Sequence, residues 1–237
     1  MKIGGLQKLT LLDYPGRTAC TIFLSGCNFR CPFCHNASLV LPDREEAGIC
    51  EEELFQFLRK RQGLLDGVCL TGGEPLLSPE LMNFLKKIKD LGYPIKLDTN
   101  GSFPKRLKMV VEQGLVDYVA MDIKNSRECY GSTIGKENNF LASIEESVEF
   151  LLKGPVPYEF RTTVIKGFHD KKSMEQIGSW ILGADQYFLQ NFKDSGEIIG
   201  RIQSEYTKRM EPFSDGELKE LFNTIKKWIP TASIRGE

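Results

Sequence analysis

The sequence has little of what marks exported, membrane-spanning or nucleic-acid-binding proteins. None of its 237 residues belongs to an apolar run long enough to cross a membrane, which takes about 18 residues. The first residues, MKIGGLQKLT, lack the apolar centre of a secretory signal. The net charge is only −1, and basic clusters such as RKR at 59–61 lie in stretches with helical periodicity, where a solvated helix face is the simpler interpretation. We therefore expect a cytoplasmic protein without a membrane or nucleic-acid partner.

A disulfide framework is also missing. Seven cysteines are an odd number, and free thiols are the rule in chains without an export signal. Cys20 and Cys69 lie in apolar, strand-like runs and are predicted to be packed core thiols. Cys50 and Cys129 stand alone, and no role is predicted for them. The other three cysteines fall within eight residues, in CNFRCPFC at 27–34.

Apolar, strand-like runs alternate with amphipathic stretches along the chain. Six strand–helix units in succession predict parallel strands with right-handed crossovers, either in a partial barrel or in an open doubly wound sheet. In both architectures the active site lies at the C-terminal ends of the strands. The predicted strands are 19–26, 66–72, 94–99, 117–123, 158–164 and 186–190. The predicted helices are 51–63, 78–92, 104–114, about 141–153, about 173–183 and about 215–229.

Turn and cap residues support these helices. Ser78 and Pro79 are predicted to be the N-cap and the first residue of the second helix. The stretch SDGE at 214–217 is typical of a capping box. Glycine, which tolerates the left-handed conformation of a helix C-cap, follows the predicted helices at positions 63, 92, 114, 154 and 183.

Three thiols within eight residues indicate a metal centre that is one ligand short. A structural zinc site takes four closed ligands, commonly two CxxC-like pairs, and a ferredoxin cluster takes four cysteines. His35 is adjacent to Cys34, and adjacent residues rarely converge on one ion; His169 is distant in the sequence. Three cysteines suit a cubane iron–sulfur cluster whose fourth iron stays open, and an open position is the mark of a catalytic metal site. A closed structural or electron-transfer centre is the competing interpretation.

The spacing CxxxCxxC, with Phe33 just before the last cysteine, resembles that of the radical S-adenosylmethionine (SAM) superfamily. A second motif of that superfamily, TGGEP at 71–75, follows one strand–helix unit later. The resemblance covers nearly the whole chain. It implies an α/β fold, namely a partial (β/α)6 TIM-like barrel of parallel strands. It also implies a single radical SAM domain over 1–237, with a leader at 1–18, the β/α core at 19–190 and a C-terminal helix and tail at 191–237.

The resemblance implies two cofactors. One [4Fe–4S] cluster is expected on Cys27, Cys31 and Cys34, with SAM chelating the fourth iron. In the superfamily, one electron from the cluster breaks a C–S bond of SAM, and the 5′-deoxyadenosyl radical that results abstracts hydrogen from a substrate. Because a sulfonium is hard to reduce, the cluster has to be one of low potential. The protein's own task is to position the reactants and to exclude water.

Candidates for SAM contacts lie near the strand ends, and each has a structural alternative. Gly72 and Gly73 permit close approach to the backbone, and the resemblance implies that their turn bonds the amino group of SAM with Glu74 as its support; the alternative is only a tight turn. Arg161 needs an anionic partner if it is buried, and the SAM carboxylate is one candidate. Lys124 is a cavity candidate, or it forms a rim ion pair with Asp122. The full set expected to contact SAM is Phe33, His35, Gly72, Gly73, Glu74, Asp98, Thr99, Asn100, Arg161 and Gln190.

Some of these assignments concern particular groups of SAM. The Asp98 carboxylate and the Asn100 amide would face the ammonium and the ribose, or they only shape a turn. Phe33 would contact the adenine, or it belongs to the core. His35 would reach the adenine through its backbone, or it is a packed turn residue.

A narrower resemblance lies in GLQKLTLLDYPG at 5–16 and GCNFRCPFCHN at 26–36. Both are similar to the activating enzymes of glycyl-radical enzymes, in particular to the anaerobic ribonucleoside-triphosphate reductase activating proteins, relatives of pyruvate formate-lyase activating enzyme. These enzymes abstract the α-hydrogen of one glycine in a partner. The resemblance therefore implies a glycyl-radical enzyme as partner, most closely anaerobic ribonucleotide reductase, and flavodoxin or ferredoxin as electron donor.

Further expectations follow from this comparison. Relatives with extra clusters carry additional CxxC motifs after the first, whereas 35–65 holds only Cys50, so we expect a single cluster. The closing ASIRGE resembles a C-terminal strand, expected to pair beside the leader. The weakly patterned 191–212 is a candidate gate over the cavity. The alternative functions are a radical SAM enzyme acting on a small molecule or modified nucleoside, and an electron-transfer or structural metal protein.

Overall fold

The computed structural model describes residues 1–41, 48–136, 138–193, 198–202 and 210–236. Its described strands form one eight-stranded sheet in the order of the sequence. The first pair is antiparallel and each later pair is parallel. The strands are β1 (Ile3–Thr10), β2 (Ala19–Leu24), β3 (Gly67–Gly72), β4 (Ile95–Thr99), β5 (Tyr118–Asp122), β6 (Tyr158–Val164), β7 (Tyr187–Asn191) and β8 (Ser233–Arg235).

Helices connect the parallel strands. Their apolar faces are buried, as in α3, where Leu81, Phe84, Leu85 and Ile88 contribute the stripe that the sequence predicts. Among the described residues, no helix is both long and apolar enough to span a bilayer. The helices are α1 (Ala37–Val40), α2 (Glu51–Lys60), α3 (Leu81–Asp90), α4 (Pro104–Glu112), α5 (Tyr130–Ile134), α6 (Leu141–Leu152), α7 (Lys171–Trp180), α8 (Ile199–Ile202) and α9 (Asp215–Lys226).

All six predicted strands are confirmed, and so is the partial barrel of parallel strands. The five helix-terminating glycines all adopt positive φ. The capping box of α9 is confirmed, because the Ser214 side chain accepts from the Glu217 N–H and the Glu217 carboxylate accepts from the Ser214 N–H. The core positions of Cys20 and Cys69 are confirmed as well, since both side chains are fully buried.

The predicted start of α3 is wrong. The helix begins at Leu81 with Glu80 at its N-cap, and Ser78 and Pro79 lie outside it. The reason is a short 3-10 turn at Pro75–Leu77, which follows TGGEP directly and uses Ser78 as its own extended C-cap. Ser78 therefore ends this turn and does not start the next helix.

The predicted pairing of the C-terminal strand with the leader is also wrong. β8 runs parallel to β7, whereas the leader forms β1 on the far side of β2, so the two lie at opposite edges of the sheet. Side-chain contacts explain the choice. The Arg235 guanidinium donates to both carboxylate oxygens of Glu159 on β6, at 2.7 and 2.9 Å, and lies 3.8 Å from the ring centroid of Phe188 on β7.

The leader motif DYPG lies at the N-terminal end of the barrel. The Thr21 hydroxyl on β2 donates to the Asp13 carboxylate. The Tyr14 ring is buried, and its centroid lies 6.1 Å from that of the Tyr118 ring. A Cβ on Gly67 would lie 2.9 Å from Cδ1 of Tyr14. Since Gly67 and Tyr118 are the first residues of β3 and β5, the tyrosine covers the end of the barrel opposite the predicted site.

Candidate functional site

A cavity of about 280 Å³ opens at the C-terminal ends of the parallel strands. Every site residue predicted from the sequence lines it, except Glu74. Strand ends from distant parts of the chain thus converge on one place, as the parallel topology requires. The cavity is lined by Cys27, Phe29, Cys31, Phe33, Cys34, His35, Asn36, Val40, Thr71, Gly72, Gly73, Asp98, Thr99, Asn100, Asp122, Lys124, Arg161, Thr163 and Gln190.

The three cysteines lie on the cluster loop, residues 25–36, between β2 and α1. Burial raises the pKa of Cys27 to about 11 and that of Cys31 to about 12, and it also raises the pKa of Cys34. Because these thiols are neutral in the metal-free protein, binding a metal centre has to release protons. The Lys124 ammonium opposes the pKa shift at all three thiols, and the Arg30 guanidinium also opposes it at Cys34.

The donor set fits a cluster better than a single ion. Within the described residues, no three His, Cys, Asp or Glu side chains converge on one ion position. A cubane cluster asks for a different arrangement, since each cysteine binds a separate iron. Three neutral thiols that face one cavity, with a cation nearby to offset the charge of the thiolates, meet that requirement.

The cluster loop is held by a side chain of its own and by backbone donors of α8. Arg30 Nη1 donates to the carbonyl oxygens of Cys27 and Phe29, at 2.7 Å each. On its other side, α8 contributes two N–H donors: Ile199 to the Cys34 oxygen at 3.3 Å, and Gly200 to the Pro32 oxygen at 2.7 Å. Within 191–212, α8 therefore lies against this loop. The residues at 194–197 and 203–209 are outside the described part, and the gate stays a prediction.

Two aromatic residues of the cluster loop have different surroundings. Phe33 is buried and its ring meets that of Phe168 edge-on, with centroids 5.6 Å apart. His35 is exposed and stacks on Phe192 at 5.2 Å, while its Nε2 bonds to the carbonyl of Lys193. The aromatic side chain at position 33 faces the cavity, and position 35 joins the loop to the end of β7.

The two glycines of TGGEP lie too close to neighbouring backbone for any side chain to fit. Gly72 has a φ of +121°, and a Cβ there would overlap the backbone of Leu24. A Cβ on Gly73 would overlap the carbonyl oxygen of Gly26. The turn after β3 is therefore in close contact with the end of β2 at Gly72 and with the cluster loop at Gly73, and a side chain at either position would push the turn away.

Glu74 joins two turns instead of lining the cavity. Its carboxylate accepts from the Leu76 N–H at 3.0 Å, the Thr99 hydroxyl at 2.8 Å and the Asn100 N–H at 2.6 Å. Burial raises its pKa to about 7, although these three donors oppose the shift. The carboxylate thus connects the turn after β3 to the turn after β4. Asp98 is the next-to-last residue of β4.

Gly73→Ala is expected to weaken SAM binding at least about tenfold and to destabilise the fold by about 1–3 kcal/mol, the usual cost of overpacking. The added methyl pushes the turn away from Gly26. Gly216→Ala is the matched control, because neither Gly73 nor Gly216 has a positive φ, but a Cβ on Gly216 meets open space. Calorimetric SAM titration of the reconstituted proteins checks the prediction. Equal SAM affinity in the two variants would contradict it.

A charged wall faces the cysteines. Arg161 Nη1 lies 3.0 Å from Asp98 Oδ2, and its Nε lies 2.9 Å from Asp122 Oδ1. Lys124 Nζ lies 2.9 Å from Asp122 Oδ2, so the predicted rim ion pair is confirmed. Burial works against ionisation of Asp122, but Arg161 and Lys124 outweigh it and lower the pKa. The anionic partners that a buried Arg161 needs are thus supplied by the protein, and contact with a SAM carboxylate stays a prediction.

Beneath this wall is a second charged layer that sequence reasoning missed. Lys96 on β4 is 1% exposed and pairs with Asp98. Glu159 on β6 is fully buried and is held by Arg235 and by the Tyr118 hydroxyl, at 3.0 Å. The sequence does contain a signal for this layer. Lys96 lies two positions before Asp98, and Glu159 lies two positions before Arg161. Because alternate residues of a strand face the same side, each of the two is expected on the side of its neighbouring site residue.

His169, which the sequence left unassigned, holds the end of β5 in place. Its Nδ1 accepts from the Ile165 N–H at 3.2 Å, so the ring proton lies on Nε2, which donates to the Lys124 oxygen at 2.9 Å. Burial lowers its pKa to about 4, and the ring is neutral at pH 7. It therefore fixes the backbone from which the Lys124 side chain extends.

Other lining residues also escaped prediction. Asn36 donates from Nδ2 to the Gly72 oxygen at 2.8 Å and so links the cluster loop to the turn after β3. Thr163 follows Arg161 by two positions on β6, and the same alternation would have found it. Gln190 lies opposite Thr163 in the register of β7 and reaches the cavity as predicted.

Comparison with known proteins identifies the family of the chain and supports its fold. A sequence profile of the Radical SAM superfamily matches residues 21–175. A Methanocaldococcus jannaschii protein provisionally named glycyl-radical enzyme activating enzyme is 31% identical over 98% of this chain and 95% of its own. The pyruvate formate-lyase-activating enzyme of Clostridium pasteurianum is 28% identical over 93% of this chain and 98% of its own. Streptococcus suis SuiB bound to S-adenosylmethionine superimposes with a TM-score of 0.67 at 12% identity, covering 91% of this chain and 52% of SuiB.

Proposed function

Because the chain belongs to the radical SAM superfamily, we propose that it activates a glycyl-radical enzyme by abstracting the α-hydrogen of one glycine. The observation that carries the proposal is a single cavity. The three cysteines line it together with the turn after β3 and the end of β4, both of which are expected to contact SAM. The relatives that match nearly the full length both have activating-enzyme names. The finer proposal, from the leader motif, is that the partner is anaerobic ribonucleotide reductase.

The residues present would hold the two cofactors of the superfamily. Cys27, Cys31 and Cys34 would bind one [4Fe–4S] cluster and leave one iron for SAM. Once bound, the two cofactors supply a carbon radical strong enough to take hydrogen from a glycine. The cysteine side of the cavity would carry the cluster, and the charged wall opposite would hold SAM.

The chain's own side chains give this wall its chemistry. SAM carries a carboxylate, an ammonium and a sulfonium, and the wall offers both signs of charge through Lys124, Asp122 and Asp98. Gly72 and Gly73 bring backbone groups to the cavity surface without a side chain between. Phe33 offers an aromatic face for the adenine. These groups are positioned before any ligand binds, which reduces the cost of ordering them.

A polypeptide substrate suits the architecture. A glycine has no side chain, so a segment that carries one can extend far into a narrow cavity. The described sheet does not close, because β1 and β8 lie at its two edges. We propose that the partner's glycine loop enters through the lateral opening that the unclosed sheet leaves and that flavodoxin or ferredoxin supplies the electron. The competing function, action on a small molecule or modified nucleoside, uses the same cofactor residues.

The test starts with the anaerobically reconstituted protein. Electron paramagnetic resonance of the reduced cluster is recorded with and without SAM, and a shift on SAM addition is expected. Anaerobic ribonucleotide reductase is then added, and the doublet of a glycyl radical is expected in the partner. The partner with its glycine replaced by Ala is the control. A signal indifferent to SAM would overturn the radical SAM assignment, and SAM cleavage stimulated only by a small metabolite would overturn the activase.

A further inference from the structure

Three polar side chains close a hydrogen-bonded ring between the cluster loop and the turn after β4. Asn100 Nδ2 donates to Asn28 Oδ1 at 3.1 Å, and Asn28 Nδ2 donates to Ser102 Oγ at 2.9 Å. The Ser102 hydroxyl donates back to Asn100 Oδ1. Asn100 and Ser102 are each only 6% exposed, so little water competes for these bonds. The ring ties the loop that carries Cys27 to the strand end that carries Asp98.

One backbone bond fixes the direction of the Asn100 amide. The Ser102 N–H donates to Asn100 Oδ1 at 2.9 Å, so the amide oxygen lies on that side and the nitrogen on the other. The nitrogen has two protons, and Asn28 accepts one of them. The other faces Cys27 Sγ, which lies 3.9 Å from Nδ2. The Phe29 N–H, at 3.4 Å, approaches the same sulfur.

We propose that Asn100 is a positioning residue that sets the reduction potential of the cluster, through a hydrogen bond from its side-chain amide to the Cys27 thiolate. The inference rests on the proposed function, because it requires Cys27 to be a cluster ligand. Hydrogen bonds to the sulfurs are among the factors that set the potential of iron–sulfur clusters. The reduced cluster carries one more negative charge, so an N–H donor stabilises it more than the oxidised cluster. The amide therefore raises the reduction potential.

The ring gives the donor its specificity. A free asparagine amide can turn by 180° and present its oxygen to the sulfur, which would act in the opposite direction. Here the oxygen is held by two donors of Ser102, and the nitrogen is held by Asn28. The donor side therefore faces Cys27 before any cluster binds, and no reorientation is needed when the cluster is reduced.

Asn125 is a matched control within the same chain. Its Oδ1 accepts from the Ser126 N–H at 2.7 Å, and its Nδ2 donates to Thr133 Oγ1 at 2.9 Å and to the Phe168 oxygen at 2.8 Å. It is also fully buried. The amide has the same kind of partners on its oxygen side, but both acceptors of its protons are oxygens and not a cysteine sulfur.

The test is a redox titration of the reconstituted variants, followed by electron paramagnetic resonance without substrate. In Asn100→Ala, the ratio of reduced to oxidised cluster at a fixed potential is expected to fall on the order of tenfold, which is a shift of ~59 mV to more negative potential for one electron. Ser102→Ala keeps the backbone donor that orients Asn100, so its shift is expected to be smaller. Asn125→Ala is expected to titrate as the wild type does.

Asn100→Ser serves as the second variant, in case Asn100→Ala does not retain its cluster. Its short hydroxyl offers the Ser102 N–H an acceptor but does not reach the sulfur, and the same negative shift is expected. A wild-type potential in a fully loaded Asn100 variant would overturn the inference. So would a Ser102→Ala shift equal to that of Asn100→Ala, because the ring and not the donor would then matter. A wild-type protein without a SAM-responsive cluster would overturn the proposed function itself, a failure distinct from one confined to the variants.

Discussion

Replacement of Cys27, Cys31 or Cys34 by Ala is expected to reduce SAM cleavage to background while most of the fold is kept. Each thiolate would bind a different iron, so two remaining ligands cannot hold a cubane cluster with one open position. The fold does not depend on these thiols, because the loop is held by the Arg30 guanidinium and by the backbone N–H groups of Ile199 and Gly200. Iron and sulfide content, formation of 5′-deoxyadenosine and circular dichroism check the three parts of the prediction.

Cys50→Ala is the control for this series. Cys50 is an exposed free thiol at the N-cap of α2, and its side chain makes no cap hydrogen bond there. The variant is expected to keep its iron and its activity. A Cys50→Ala protein that loses iron would mean that a fourth cysteine takes part and would contradict the three-ligand assignment. SAM cleavage that survives in any variant of the cysteine trio would contradict it equally.

Arg161→Gln is expected to destabilise the apo protein by about 3–5 kcal/mol, the usual result of removing one partner from a buried ionic network. The Arg161 side chain is 13% exposed and bridges Asp98 and Asp122, with Glu159 at 4.0 Å. Without it, the partly buried carboxylates of Asp98 and Asp122 lose the cation that they share, and each keeps only one lysine partner. Urea unfolding of the wild type and the variant measures the difference.

The matched control for Arg161→Gln is Arg59→Gln. Arg59 forms an ion pair of similar length with Glu52, at 2.9 Å, but both side chains are about half exposed or more. Exposed pairs contribute little, so no measurable change in stability is expected. Equal effects of the two substitutions would show that burial of the Arg161 network does not matter.

The pH dependence provides a second check on Arg161. Burial opposes ionisation of Asp98 and Asp122, but Arg161, together with Lys96 at Asp98 and Lys124 at Asp122, outweighs it and lowers both pKa values. This contribution to stability is complete above the pKa of the unfolded chain, about 4, and is lost as the pH falls through the lower folded pKa. In Arg161→Gln the folded pKa values rise, so the gap in stability should narrow between pH 7 and pH 3. A gap that stays constant over this range would contradict the assignment.

The strands and the members of the site were predictable because their signals are local. Apolar runs bounded by turn residues mark the strands, and parallel topology places every strand end at one edge. The cysteine spacing and TGGEP therefore had to meet once the strands were correctly assigned. The N-terminus of α3 was not predictable in the same way, because a 3-10 turn at Pro75–Leu77 competes for the same cap residue.

The partners of charged side chains could not be predicted from local sequence signals, because they lie far away in the chain. Glu74 was expected to contact SAM and to support the glycine turn, and it does not line the cavity, because its carboxylate is satisfied by donors 25 and 26 residues away. Arg235, in the last strand, meets Glu159 across 76 residues, and this contact decides which sheet edge the tail joins.

Residue spacing along the chain thus establishes the order of the strands, the cysteine trio and the glycine turn. The charged layers, the direction of the Asn100 amide and the place of the tail arise only when the sheet curves and brings distant strands together. The physical reason is that a buried charge or amide has to find its partner among whatever side chains share its enclosure. That set of neighbours is a property of the folded barrel and not of any single stretch of sequence.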